Sequence, residues 1–231
     1  MSETAALNLP RFFLFGDSHA GTLMHAATAL GLDFDGGSIM AGQYLNDDFF
    51  EVRDGRFMMT TKIGQQRMRQ RLTDAGWRNF FDVDIPIVST VGFNTTNFSR
   101  QFSEEGWALA GSSAGRLVSE GCFQAMVEVA RKSALDFYRA LADRKKRVFA
   151  VLSPQRFDRD DIAVCRAFEK FMMGQIAALG ATIIDVRAET TGSDGVLLPQ
   201  FARPDDPVHG NDLFGEVVFR KFAQMMNESD A

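Results

Sequence analysis

Cysteine is nearly absent from this chain, histidine is scarce, and no long apolar run occurs. Cys122 and Cys165 lie far apart and neither belongs to a Cys-x-x-Cys pair, so they read as two free, buried thiols rather than a disulfide framework. No segment approaches the roughly 20 apolar residues needed to span a bilayer. The start, Met1-Ser2-Glu3-Thr4, lacks the basic stretch and apolar run of a signal peptide. An excess of positive charge is missing too. The net charge is −5 and the pI is near 5.3, which excludes a broad basic face for nucleic acid or anionic lipid. The local run Arg144-Lys145-Lys146-Arg147 reads as a helix C-terminus favoured by the dipole. Internal repeats, low-complexity tracts and flexible linkers are also lacking. These absences describe a soluble, cytoplasmic protein with no nucleic-acid or membrane partner.

Tyr and Trp number 2 each, whereas Phe reaches 22. Those rings read as core filling. With 231 residues, 45% hydrophobic and 24% charged, the chain can bury a core without disulfide or metal support. A single α/β domain over residues 1–231 follows, with room for an insertion.

Five apolar runs alternate with helical patterns. The strands fall at 11–15, within 32–40, and at 85–91, 148–152 and 181–186. They are continuous rather than alternating runs, as expected of parallel strands buried on both faces. Helices are expected over 18–30, 123–144, 160–179 and 211–226. The first stops at Gly31. This rhythm predicts a doubly wound, flavodoxin-like sheet of five parallel strands with right-handed crossovers. Residues 46–81 interrupt it. Phe49 to Met59 reads as a β-hairpin turning at Asp54-Gly55, and 63–72 as a basic amphipathic helix. This insertion reads equally as structural padding, a contact with a second copy of the chain, or a lid over a site.

Residues with chemistry gather at the carboxyl ends of the expected strands, where open parallel sheets bind ligands. Ser18 follows the first strand within Phe15-Gly16-Asp17-Ser18-His19. Gly42 follows the second and Asn94, in Gly92-Phe93-Asn94, the third. Arg156 follows the fourth. Asp206 and His209, in Asp206-Pro207-Val208-His209, precede the last helix. A serine at a strand-to-helix turn with a late Asp-x-x-His is the layout of a serine hydrolase or acyltransferase, because a hydroxyl is a poor nucleophile until a histidine takes its proton.

These four blocks resemble those of the SGNH hydrolases, the GDSL-like esterase/lipase superfamily, in its GDSH variant. The resemblance spans nearly the whole chain and implies a three-layer α/β/α fold. It implies Ser18 as nucleophile, His209 as general base and then acid, and Asp206 as its orienting carboxylate. The oxyanion hole would use the backbone N–H groups of Ser18 and Gly42 and the amide of Asn94. Gly36 and Gly37 compete with Gly42 for that role. Two departures stand out: His19 replaces the common leucine of the first block, and Thr95 follows Asn94 where Asp is frequent. Both touch the substrate side of the site.

His19 and Arg156 are secondary candidates for binding substrate. Arg156 could hold an anionic group or pair with Asp158 or Asp160. His25 reads as surface or packed structure. Asp17, His19 and His25 lack zinc-site spacing, so no metal and no cofactor are expected. The expected activity is hydrolysis of a small acyl ester, on a carbohydrate among other alcohols, through a Ser18 acyl-enzyme. The expected partner is therefore a small-molecule or glycan ester, with homo-oligomer formation left open. Two rivals keep the fold: an O-acyltransferase acting on a glycan, and a non-catalytic binding module.

Overall fold

The computed structural model describes residues 7, 9–46, 48–110, 115–156 and 161–229. Elements follow in the order β1 (Phe12–Gly16), α1 (Ser18–Ala29), β2 (Phe34–Ser38), β3 (Phe50–Arg53), β4 (Arg56–Met59), α2 (Lys62–Asp74), β5 (Ile87–Ser89), α3 (Thr96–Glu104), β6 (Trp107–Ala108), β7 (Arg116–Leu117), α4 (Glu120–Ala130), α5 (Lys132–Ala142), β8 (Val148–Val151), α6 (Ile162–Ala178), β9 (Thr182–Ile184), α7 (Arg187–Thr190) and α8 (Asp212–Ser229).

Five strands form one sheet in the order β2-β1-β5-β8-β9. Every pairing is parallel. This is the doubly wound sheet expected from the sequence. Successive residues of β1 point to opposite faces, which divides the core in two. Phe12 and Leu14 join α1 and α8 through Leu23, Ala26, Val218 and Phe222. Phe13 and Phe15 join the other layer, with Phe80, Phe137, Phe168 and Ile176. All four β1 side chains have no exposed surface. Each contributes roughly 1.5–3 kcal/mol by leaving water. β1 is therefore fixed from both faces, and whatever follows it is held at a defined place. The strand order reverses between β1 and β5, so the loops after these two strands flank the crevice.

The hairpin β3–β4 turns at Asp54-Gly55 as expected. It is no loose flap. Phe57 meets Phe15 edge-on at 6.0 Å and stacks against Phe50 at 5.0 Å. The 46–81 insertion thus carries part of the core on the α5 side of the sheet, with Leu72 and Met68 of α2 buried beside it.

Three expectations need correction. The helix expected over 123–144 is two helices, α4 and α5, broken at Arg131. Its apolar periodicity persists across the break, which hid it. α3 was not anticipated, because Thr96, Asn97, Ser99 and Gln101 obscure a helix whose inward residues are only Phe98, Ser99 and Phe102. Of the two thiols, Cys165 is buried but Cys122 is exposed on α4.

One buried acid shapes the stability of this framework. Glu169 of α6 is 1% exposed. Burial pushes its carboxyl up to about 7, against the opposing pull of Gln155 and Arg187. The native state then holds a proton that the unfolded chain releases near the ordinary value of 4.5. Stability falls as pH rises between those values, and the penalty is complete above the upper one. Glu169→Gln is expected to raise stability by roughly 2–3 kcal/mol at pH 8 and to gain nothing at pH 4. Urea unfolding at the two pH values measures this, and equal effects at both would contradict it.

Candidate active site

Ser18 is the first residue of α1 and is exposed. Its place follows from its neighbours. Asp17 caps the helix, its Oδ1 accepting the His19 backbone N–H at 3.0 Å and the Thr90 hydroxyl at 2.9 Å. Thr90 directly follows β5, so the cap ties the two strands of the crevice together. An Asp before a helix is a strong N-cap signal, and Ser18 is the residue it positions.

Asp206 and His209 form a tight pair before α8. His209 Nδ1 lies 2.7 Å from Asp206 Oδ2. Asp206 Oδ1 accepts the backbone N–H groups of Val208 and His209 at 2.8 and 3.0 Å. Burial alone would raise this carboxyl. The two backbone donors and the His209 ring outweigh it and hold Asp206 down at about 2. It is therefore a carboxylate at neutral pH. A carboxylate on Nδ1 fixes the tautomer in which Nε2 is free to accept a proton. His209 Nε2 is enclosed and has no hydrogen-bond partner among the described residues.

The beginning and end of the chain meet at this point. The rings of His19 and His209 lie 4.7 Å apart, tilted by 49°. Ser18 is thus the immediate neighbour of a residue in contact with His209. Among the described residues no hydrogen bond joins Ser18 to His209. In free enzymes such bonds are often long and tighten only with substrate.

The other flank of Ser18 carries the donors. At Gly42 a Cβ would stand 2.3 Å from Asn94 Nδ2 and 2.9 Å from Asp17 Oδ2. Gly42, Asn94 and the cap of α1 are therefore packed together, and only glycine admits this approach. Gly42 begins a short 3₁₀ turn after β2. Asn94 reaches the site because Gly92 takes a φ of +97°, a left-handed turn off the end of β5. Among the described residues, the backbone N–H groups of Ser18 and Gly42 and the Asn94 amide donate to nothing. Gly37 lies elsewhere, with Met24 Sδ 3.0 Å and Arg71 Nη2 3.6 Å from the position of its missing Cβ.

Arg156 turns toward the backbone. Its Nη1 donates to the carbonyls of Arg203 at 2.8 Å and His209 at 3.3 Å, bracing the loop that carries His209. Asp158 and Asp160, the ion-pair partners weighed for it, lie outside the described residues. His25 is exposed on α1. Two bracing residues escaped the sequence. Thr90 carried no signal beyond its place at a strand end. Arg131 sits at the unforeseen helix break, where its Nη2 donates to the Asn94 carbonyl at 2.6 Å.

No family model matches this chain, and no curated protein does. Among solved structures, a protein from Lactobacillus plantarum shares 13% identity over 96% of this chain and 98% of its own, with a TM-score of 0.51. This likeness is one of fold. A GDSL-like lipase from Bacteroides thetaiotaomicron is similar over 97% of this chain and 94% of its own, at 14% identity and a TM-score of 0.48. An acetylxylan esterase from Geobacillus stearothermophilus, in a catalytic mutant, is similar over 93% and 92%, at 10% identity and a TM-score of 0.46. The three-layer fold expected from the four sequence blocks is the fold observed, and no helix among the described residues is long and apolar enough to cross a membrane.

Proposed function

We propose that this chain is an SGNH-type serine esterase that cleaves small acyl esters through a Ser18 acyl-enzyme. The observation that carries the reading is the bracketing of Ser18. Its preceding neighbour packs on Gly42, whose missing Cβ lies within 2.3 Å of Asn94 Nδ2, and its following neighbour packs on the base, with rings 4.7 Å apart.

In the first half-reaction, Ser18 Oγ bonds to the ester carbonyl carbon and its proton passes to His209 Nε2. The carbonyl oxygen becomes an oxyanion facing the N–H groups of Ser18 and Gly42 and the Asn94 amide. The bond to the alcohol oxygen then breaks, and His209 returns the proton to that oxygen. In the second half-reaction, water gives its proton to His209 and its oxygen to the acyl carbon, releasing the acid and restoring Ser18. Asp206 stays ionised throughout and balances the imidazolium. The Ser18 position at the start of α1 adds the positive end of the helix dipole. The unused donors favour catalysis over a binding role.

Intact-mass analysis after incubation with a fluorophosphonate tests the reading. One adduct is expected, mapping to Ser18 and absent from Ser18→Ala. A folded protein that takes no adduct would refute it.

A further inference from the structure

His19 is a peculiar neighbour for a nucleophile. It is 6% exposed, and its Nδ1 is enclosed without a partner. Among the described residues neither ring nitrogen makes a hydrogen bond; only its backbone N–H does, to Asp17. Nδ1 is closed to any ligand, whereas Nε2 is not among the enclosed atoms, so Nε2 is the ring nitrogen left to meet one.

The two flanks of Ser18 face different parts of an ester. The Gly42 and Asn94 side receives the carbonyl oxygen. His209 must protonate the departing alcohol oxygen, so the alcohol lies on its side. His19, with its ring 4.7 Å from that of His209, is on that side too. We propose that His19 is a specificity-determining residue that hydrogen-bonds a hydroxyl on the carbon next to the ester-bearing carbon. The preferred substrates are then monoacyl esters of vicinal diols, the chemistry shared by glycerol and sugars. The inference rests on the esterase reading above.

The character of the ring fits such a group. Burial pushes His19 below the ordinary histidine value, partly offset by Asp17. In either tautomer Nε2 can meet a hydroxyl, which both donates and accepts. The nearby guanidinium of Arg156 is directed at backbone carbonyls, so it does not call for a charged alcohol.

The test compares 2-hydroxyethyl acetate with propyl acetate, two esters of equal size that differ by one hydroxyl. The readout is the ratio of their kcat/KM values, in which any general loss of activity cancels. The native enzyme is expected to prefer the hydroxylated ester by about tenfold or more, since a site built around a hydroxyl rejects the analogue lacking it. His19→Leu is expected to bring the ratio to within about twofold of unity, and His19→Gln to retain part of the preference. Fluorophosphonate labelling of Ser18 in each variant establishes that the site remains formed. A native ratio near unity, or a ratio unchanged in His19→Leu, overturns the inference while leaving the esterase reading intact. Native protein that neither labels at Ser18 nor cleaves either ester overturns both.

Discussion

Ser18→Ala and His209→Ala are each expected to lower kcat for a short-chain nitrophenyl ester by roughly 10⁴- to 10⁶-fold. The double variant should be no worse than either alone. The reason is that the two side chains perform one act. A serine hydroxyl that cannot give up its proton attacks no carbonyl, and an imidazole without that hydroxyl has nothing to activate. Independent contributions would multiply, whereas parts of one machine do not. Stopped-flow burst and steady-state rates of the four proteins measure this directly. A double variant slower than both singles by the product of their losses would separate the two residues into different roles. Neither substitution empties the core, because Ser18 is exposed and His209 keeps 19% of its side-chain surface.

The second large effect concerns the carbonyl oxygen. Asn94→Ala removes one donor, and losses of roughly 10²- to 10³-fold in kcat are expected for such a group. Gly42→Ala should match or exceed that loss although it deletes no polar atom. Its new methyl would stand 2.3 Å from Asn94 Nδ2, so the amide must move and the Gly42 N–H with it. The signature is a fall in kcat with little change in KM, since these donors act on charge that develops only as the reaction proceeds. A Gly42→Ala enzyme with native kcat would place the oxyanion elsewhere. Gly21→Ala serves as the control, because a Cβ there meets only Ser38 Cβ, at 3.7 Å.

Much of this site could be read before any coordinates. Strands buried on both faces write themselves as unbroken apolar runs, so Phe12-Phe13-Leu14-Phe15 fixed where the first turn must fall. Asp17 announced the helix that presents Ser18, and Asp206 with His209 are close enough in sequence to pair locally. What stayed hidden was tertiary. Gly42 could be separated from Gly37 only by seeing which one touches Asn94. Arg131 lies within an unbroken helical pattern, and its inward turn depends on a break that no local residue demands. The contact of His19 with His209 joins positions 190 residues apart (209 − 19), which no window of sequence can contain.

That span has a consequence for the order of events at the ribosome. α8 packs on α1 across one face of the sheet, and the base sits immediately ahead of α8. Ser18 is therefore synthesised 191 residues (209 − 18) ahead of the histidine proposed to activate it. On the esterase reading, reactivity begins only once α8 has docked on α1 and brought His209 into place.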